Sequence, residues 1–370
     1  MKQATTFTVV GAGNGGKSMA ANLGVMGAKV NLYNRTYDHI EAIAKRGGIE
    51  LDSYEGGPTG FGRLNLVTSE IEEAIADTEV IMIATPSTAH APLAKIMAPY
   101  LKDGQIVVLN PGRTFGSIEF LHVLRQMGCK ANVIIAETET LIYACRAEGP
   151  AQAYIFRIKD AIPLAALPSK ENQRVLDALS GVYPQFIDGK DVLHTGLNNM
   201  GAIFHPALTL LNAARIESTR GNFEFYFEGV TSSVAGVLEA IDRERVTVAS
   251  ALGIRARTAM EWLKIAYNVT GVDLNETIHN QTGYQGIKAP ATLNHRYIFE
   301  DVPMSLVPIA SLGQHYGVSV RGMDAIIRLA CIIHKTDYWR RGRTLDKMGL
   351  NHLSVGEIQH YAHEGVLQQY

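Results

Sequence analysis

The sequence is poor in cysteine and has no long apolar run. Its 370 residues include three cysteines, too few and too scattered for a disulfide framework or a cysteine-rich zinc site. No run of 18 apolar residues occurs, which excludes a typical membrane-spanning helix. A strand pattern begins at Thr6, so we expect no signal peptide. These absences predict a cytoplasmic protein without a membrane partner.

Charge of one sign is also lacking. Lys and Arg total 34 and Asp and Glu total 36, which gives a formal net charge of −2. A balance this close to neutral predicts no nucleic-acid partner. No metal-ligand spacing of His, Cys and acidic residues occurs, so we expect no metal site. Apolar residues make up 46% and charged residues 19%, enough for a sizeable core, and the length favours two domains.

The amino-terminal half alternates short apolar runs with helical patterns. Strands are predicted at residues 6–10, 29–33, 78–84, 105–110 and 132–136, and helices at 17–26, 37–46, 89–101 and 118–127. This alternation is typical of a doubly wound parallel sheet of the Rossmann type. The Gly-rich segment 47–66 has room for a small hairpin. The pattern predicts a dinucleotide-binding domain over residues 1–186.

The carboxyl-terminal half is predicted to be helical. Long apolar helical patterns cover residues 197–217, 229–251, 256–267, 306–316 and 323–333. Gly, Pro and Asp cluster near residues 181–190, which favours a domain boundary there. We therefore predict a helical substrate and catalytic domain over residues 187–370. Its long apolar helix can serve either a homodimer interface or the core.

A glycine-rich loop lies between the first strand and the first helix. It contains Gly11, Gly13, Asn14, Gly15 and Gly16 and matches the pattern GxGxxG. In this context the first glycine permits a tight turn, the second lets the backbone approach a pyrophosphate, and the third lets helix and strand pack closely. A glycine-rich turn without a ligand is the alternative. We predict a nicotinamide dinucleotide cofactor.

The end of the second strand bears on which cofactor binds. An acidic residue there would hold the ribose hydroxyl of NAD, but the sequence has Asn34, Arg35 and Thr36. Arg35 can contact a 2′-phosphate by two hydrogen bonds. Asp38, the nearest acidic residue, lies beyond the end of the strand, inside the next predicted helix. The pattern favours NADP and leaves NAD possible.

Two later loops follow the third and fourth predicted strands. One contains Thr85 and Pro86, and the other begins with Asn110. Ligands of such sheets bind at the carboxyl ends of the strands, so we predict that these residues contact the cofactor. Ordinary turn chemistry explains Pro and Gly there equally well.

Three residues of the helical half can support hydride-transfer chemistry. His205 stands in an otherwise apolar helix, where it is either a satisfied core histidine or an acid–base group. Asp301 can orient a histidine, and Arg296 can hold a carboxylate at two points. A helix N-terminus with a surface arginine is the alternative for that pair. Arg321 and Asp324, three residues apart, are a second candidate pair.

The chain resembles the opine dehydrogenases, the family of octopine and nopaline dehydrogenases. The matching stretches are GAGNGGKSMAANLGVMGAKVNLYNR, ETLIYACR, NNMGAIFHPALTLLNAARIE, FYFEGVT, LNHRYIFEDVPMSLVPIA and KTDYWRRGRTLDKMGL. The resemblance implies a Rossmann domain followed by a helical opine dehydrogenase domain. It also implies a reductive joining of an amino acid's amino group to a 2-oxo acid with NADH or NADPH.

The resemblance also implies roles for single residues. It makes His205 the catalytic histidine, Asp301 its partner and Arg296 the carboxylate-binding arginine. Glu139 and Thr140 match the family's Glu-Thr pair at the substrate pocket, although Ile142 stands where relatives often have proline. The alternatives are a 2-oxo acid reductase of the ketopantoate-reductase type and a non-catalytic NADP-binding sensor.

Overall fold

Residues 5–366 are described by a computed structural model and form two compact units. The first unit runs as far as Gly196 and takes in the chain again from Gly356, and the second unit is Leu197–Val355. The predicted boundary at 186/187 precedes this change of unit. The Gly, Pro and Asp cluster that suggested it flanks a strand, Phe186–Asp188, that still belongs to the first unit's sheet.

The first unit is built on an eight-stranded sheet. Its strands, in chain order, are β1 Thr6–Val10, β2 Lys29–Tyr33, β5 Leu66–Thr68, β6 Val80–Ile83, β7 Ile106–Leu109, β8 Ile134–Thr138, β11 Ile162–Leu167 and β12 Phe186–Asp188. They lie in the order β12-β11-β8-β7-β6-β1-β2-β5. The pairs from β8 through β5 are parallel, which confirms the Rossmann-type sheet. The β11 strand departs from this pattern because it is antiparallel to β8.

Helices and apolar side chains cover this sheet. The helices are α1 Asn14–Val25, α2 Glu41–Arg46, α3 Ile71–Ile75, α4 His90–Met97, α5 Gly116–Gln126 and α6 Asn172–Leu179. Central strands such as Val80–Ile83 and Ile106–Leu109 are buried at every position. Both faces of a doubly wound sheet are covered, so its inner strands are continuous apolar runs rather than alternating ones.

A second sheet of four strands also belongs to the first unit. It contains β3 Gly48–Ser53, β4 Gly60–Arg63, β9 Tyr143–Gly149 and β10 Gln152–Ile158, in the order β4-β3-β10-β9. The antiparallel β3–β4 pair confirms the predicted hairpin in residues 47–66. The β9 and β10 strands were not predicted, because polar residues such as Arg146, Glu148 and Arg157 interrupt the apolar pattern.

The second unit is helical. Its helices are α8 Gly201–Leu211, α9 Ala213–Thr219, α10 Ser232–Ala251, α11 Ala259–Tyr267, α12 Leu274–His279, α13 Arg296–Phe299, α14 Val307–His315, α15 Arg321–His334 and α16 Tyr338–Arg341. A π-helix, Val302–Leu306, leads into α14. Two further helices, α7 Val192–Leu197 and α17 Val355–Glu364, lie where the chain enters and leaves this unit.

The prediction of one helix over residues 197–217 was wrong. The helix ends at Leu211 and a second one begins at Ala213. Asn212 separates them, and its Nδ2 donates to the carbonyl oxygens of Leu208 and Gly229 at 3.0 Å each. Asparagine competes with the helix for backbone partners in this way, a local effect that apolar periodicity does not reveal. Within residues 5–366, no helix has both the length and the apolar character to cross a membrane.

Candidate active site

The glycine loop follows β1 and leads into α1. Gly11 has a φ of +107°, and a Cβ there would lie 2.7 Å from Thr85 Cγ2. A Cβ on Gly16 would lie 1.8 Å from the Gly11 carbonyl oxygen, so these two positions require glycine. At the exposed Gly13, by contrast, a Cβ would meet no atom of the described residues within 4 Å apart from its chain neighbours. The loop is closely packed at both ends and open in the middle, where a pyrophosphate needs room.

The start of α1 suits an anion. Its first turn carries no acidic residue, and its free backbone N–H groups and positive dipole end favour a phosphate. The Asn14 side chain is already engaged, because its Oδ1 accepts from the Ala147 N–H at 3.0 Å. A Cβ on Gly15 would lie 3.0 Å from Leu141 Cδ2, so the segment before β9 lies against the loop. The backbone of this turn, rather than the Asn14 side chain, is the group suited to a phosphate.

Asn34 connects the end of β2 to the same loop. Its Oδ1 accepts from the Ala12 N–H at 3.2 Å, and its Nδ2 donates to the Thr36 carbonyl oxygen at 2.9 Å. Arg35 and Thr36 are exposed, and so is Asp38 in the turn that follows. Asn34 therefore shapes the bend, and Arg35 is the first cation beyond it.

Two buried acceptors lie where β6 and β7 end. The Oγ1 atom of Thr85 and the Oδ1 atom of Asn110 are buried, and neither has a hydrogen-bond partner within residues 5–366. The Nδ2 of Asn110 donates to the Val108 carbonyl oxygen at 2.9 Å, and Pro86 is exposed. Because β6 and β7 are parallel neighbours, both acceptors lie at the carboxyl edge of the sheet. Unpartnered polar atoms at this edge fit a dinucleotide, as the glycine loop does.

Glu139 and Thr140 follow β8 at this carboxyl edge. The Gly112 N–H donates to the Thr138 carbonyl oxygen at 3.2 Å, which brings the loops after β7 and β8 together. Sequence reasoning did not find the neighbouring Lys159, because no motif marks it. Its Nζ donates to Thr140 Oγ1 at 2.7 Å, and burial lowers the pKa of Lys159 to about 8.

In the second unit, His205 and Asp301 meet across 96 residues of sequence. His205 Nδ1 lies 2.9 Å from Asp301 Oδ2. The Asp301 carboxylate is completely buried, while about a fifth of the imidazole, 21%, is exposed. A carboxylate only accepts hydrogen bonds, so this geometry assigns a proton to Nδ1. It leaves Nε2 to exchange a proton with a ligand.

Three side chains that sequence reasoning missed support this pair. Ser305 Oγ donates to Asp301 Oδ1 at 3.4 Å, and Asn199 Nδ2 donates to Ser305 Oγ at 3.0 Å. Tyr297 stacks on the His205 ring, with centroids 4.1 Å apart and planes 18° apart. Asp301 also directly precedes the π-helix, a feature frequent at functional sites. The Ser305 hydrogen bond restricts the carboxylate, and the stacking of Tyr297 restricts the ring.

Arg296 begins α13, four residues before a buried carboxylate. Its Nη2 lies 2.9 Å from Glu300 Oε2, and its side chain is about half exposed, at 48%, while that of Glu300 is buried. The guanidinium has five N–H donors, so one side can be held while the other binds a ligand. The predicted alternative pair, Arg321 and Asp324, is wrong, because Asp324 instead pairs with Arg328 Nε at 2.7 Å. Arg321 is exposed at the start of the same helix. The i,i+4 spacing of Asp324 and Arg328 favours their pairing over that of Arg321 and Asp324.

Similarity to known proteins bears on both units. The family model described as NAD/NADP octopine/nopaline dehydrogenase, alpha-helical domain, matches residues 188–334. A model described as the NAD binding domain of 6-phosphogluconate dehydrogenase matches residues 6–115. An opine dehydrogenase from Arthrobacter sp. (strain 1C) is 38% identical over 97% of this chain and 99% of its own length. The chain belongs to the opine dehydrogenase family.

The enzyme also shares its fold with solved structures. An octopine dehydrogenase with NADH and L-arginine has a TM-score of 0.82 at 20% identity, covering 99% of this chain and 100% of that one. A yersinopine dehydrogenase with NADP+ has a TM-score of 0.77 at 14% identity, covering 98% of this chain and 99% of that one. The predicted reaction class, an NAD(P)-dependent oxidoreductase of the opine dehydrogenase type, is confirmed by the family.

Proposed function

We propose that His205, Asp301 and Arg296 carry out the reductive joining of an amino acid to a 2-oxo acid. The contact between His205 Nδ1 and Asp301 Oδ2 carries the proposal, because it orients an imidazole with one nitrogen ready for proton exchange. A buried carboxylate also stabilises the imidazolium that forms when Nε2 accepts a proton.

The amine adds first to the carbonyl carbon of the 2-oxo acid. The protonated Nε2 of His205 donates to the carbonyl oxygen as the C–N bond forms. The same imidazole, reprotonated by the proton that the amine releases, then gives that proton to the hydroxyl, which leaves as water, and a protonated imine remains. A reduced nicotinamide, held by the glycine loop, would supply the hydride for the carbon of this protonated imine, and the product would be a secondary amine with two carboxylates. General acid–base catalysis of this kind contributes about 10²–10⁴-fold.

Arg296 is the proposed anchor for the oxo-acid carboxylate. Arg296 Nη2 forms an ion pair with Glu300, and the guanidinium has further N–H donors for a carboxylate. Glu139 and Thr140 are the proposed contacts of the amino acid, since they lie at the carboxyl edge of the first unit's sheet. A homodimer and a cytoplasmic location remain predictions.

NADPH is the proposed preferred cofactor. No carboxylate stands at residues 34–36 to repel a 2′-phosphate, and the exposed Arg35 guanidinium can pair with it. Asn34 lacks the negative charge that would favour the free ribose hydroxyl of NADH.

The test follows cofactor oxidation by absorbance with NADPH and then NADH. A panel of amino acids is crossed with pyruvate, glyoxylate and 2-oxoglutarate. We expect oxidation that requires both an amine and an oxo acid, with a secondary amine product detected by mass spectrometry. Oxidation with an oxo acid alone would instead indicate a simple reductase, and cofactor binding without turnover on any pair would favour the sensor.

A further inference from the structure

Lys159 is a half-buried cation that the mechanism above does not use. It directly follows β10, and its backbone N–H donates to the Ile142 carbonyl oxygen at 3.0 Å. Its Nζ donates to Thr140 Oγ1 at 2.7 Å. Lys159 is therefore connected to the segment that carries the proposed amino acid contacts by both its backbone and the end of its side chain.

This segment lies at the edge of the sheet where ligands bind. Thr140 comes two residues after β8, and Leu141 lies against Gly15 of the glycine loop. The Gly112 N–H donates to the Thr138 carbonyl oxygen, so the loop after β7 is also adjacent. Ligands of open parallel sheets bind outside the carboxyl ends of the strands, which is where Thr140 lies.

The direction of the Lys159–Thr140 hydrogen bond determines what Thr140 can offer a ligand. A protonated lysine has only donors, and a threonine hydroxyl has one proton and two lone pairs. Because Thr140 Oγ1 accepts from Lys159, which has no acceptor to offer, the Thr140 proton is left to be donated elsewhere. Thr140 is thereby a donor, and the positive charge beside it favours an anionic acceptor.

We propose that Lys159 is a positioning residue that holds Thr140 as a hydrogen-bond donor to the carboxylate of the amino acid substrate. The proposal rests on the proposed function, in which Thr140 contacts that substrate. A carboxylate matches this arrangement because it is negative and only accepts hydrogen bonds.

The charges around Lys159 give this arrangement a pH limit. Burial has the largest effect and lowers the pKa of Lys159 to about 8, while Glu139 and Cys145 raise it and Arg113 lowers it. Above that pH the neutral amine can accept the Thr140 proton, and the hydroxyl then turns away from its ligand. The affinity for the amino acid should therefore fall as the pH rises through about 8.

A double-mutant cycle tests the proposal. Calorimetric titration with an amino acid gives its Kd in the presence of NAD(P)H, and steady-state assays give KM and kcat. At pH 7 we expect Lys159→Met and Thr140→Val each to raise the amino acid Kd and KM roughly tenfold, with little change in kcat or in the oxo-acid KM. The double variant should be no weaker than either single one, since both remove the same hydrogen bond.

Two further variants provide the controls. Lys159→Arg keeps a charged donor, so it should restore binding at pH 7 and abolish the weakening above pH 8. Lys130→Met, at an exposed lysine of the same unit, should leave binding unchanged. Additive losses in the double variant, or an unchanged Kd in Lys159→Met, overturn the proposal. If Lys159→Met does not fold, identical pH profiles for the wild type and Lys159→Arg overturn it.

The binding measurement also separates the two proposals. A wild-type enzyme without turnover on any amino acid and oxo acid pair would count against the proposed function. The calorimetric comparison of Lys159 variants needs no turnover and tests Lys159 by itself.

Discussion

The two units prepare their ligand-binding groups in opposite ways. In the first unit the glycine loop depends on side chains that are absent, because a Cβ at Gly11 or Gly16 would overlap its neighbours. In the second unit the His205–Asp301 pair depends on side chains that are present, since Ser305 and Tyr297 support it. The first arrangement requires particular residue types in one short segment. The second requires residues far apart in sequence to fold together.

The comparison is tested most strongly at His205. Replacing it with Ala should lower kcat about 10²–10⁴-fold, because the acid–base group is lost, and leave cofactor Kd nearly unchanged. Rapid-mixing kinetics and fluorescence titration of NADPH measure the two effects. A variant with a near-wild-type rate would remove His205 from the mechanism.

Graded changes around His205 sharpen this result. Asp301→Asn keeps the shape but removes the charge, so its kcat loss should be smaller than that of His205→Ala. Ser305→Ala removes the 3.4 Å hydrogen bond to Asp301 and the acceptor of the Asn199 amide, but it leaves the charged pair intact, so its kcat loss should be the smallest. A different order of kcat values would show that the contacts do not act through the imidazole.

Gly13→Ala tests the open part of the glycine loop. Apart from its chain neighbours, no atom of residues 5–366 lies within 4 Å of the new Cβ, and the Gly13 φ of −77° suits alanine, so the melting temperature should change little. The methyl group occupies space needed by the pyrophosphate, so we expect cofactor Kd to rise roughly tenfold or more, about 1.4 kcal/mol.

Gly236→Ala is the matched control for Gly13→Ala. The new Cβ at Gly236 also has no neighbour within 4 Å among the described residues outside its own helix backbone, but it lies in α10 of the second unit. Its cofactor Kd should equal that of the wild type. Equal effects of the two substitutions would mean that the loop does not bind the pyrophosphate.

Arg35→Ser tests cofactor choice within the first unit. Losing a charge-assisted contact to the 2′-phosphate should lower kcat/KM for NADPH about tenfold and leave that for NADH nearly unchanged. Parallel assays with the two cofactors provide the internal control. A uniform loss with both cofactors would contradict a specific role for Arg35.

The last prediction concerns the free energy of unfolding rather than binding or catalysis, and its site is Lys159. Its pKa is about 8 in the folded protein and 10.5 ordinarily, so the unfolded chain binds more protons between these values. The charged lysine therefore destabilises the folded protein below pH 8. As the pH rises from 8 to 10.5 this penalty is lost, and the free energy of unfolding of the wild type increases. Urea unfolding should show Lys159→Met to be more stable at pH 7, with a difference that shrinks across that range. A constant difference would contradict this account.

The sequence predicted the first unit better than the second. Apolar runs, turn residues and GxGxxG are local signals, and they predicted β1, β2, β6, β7, β8 and the glycine loop close to their observed positions. The β9 and β10 strands were missed because their polar faces conceal the strand pattern. The break at Asn212 was missed because apolar periodicity does not show that the Asn212 side chain donates to backbone carbonyl oxygens, those of Leu208 and Gly229.

In the candidate site too, contacts between residues far apart in the sequence could not be predicted from local patterns. His205, Asp301 and Arg296 were open choices from the residues alone, and resemblance to a family favoured them. The distance of 2.9 Å between His205 and Asp301 brings two of the three together. Ser305, Tyr297 and Lys159 have no motif, and their contacts exist only once distant segments have packed.

The path of the chain has a consequence for how the protein is made. The second unit lies within the first in sequence, because α17 returns to the first unit after Val355. There Lys170 Nζ lies 2.6 Å from Glu364 Oε2, and a Cβ on Gly365 would lie 3.0 Å from Pro168 Cδ. During translation, all residues of the helical unit therefore emerge from the ribosome before α17 does. During synthesis the dinucleotide-binding unit, although it starts first, is the one completed last.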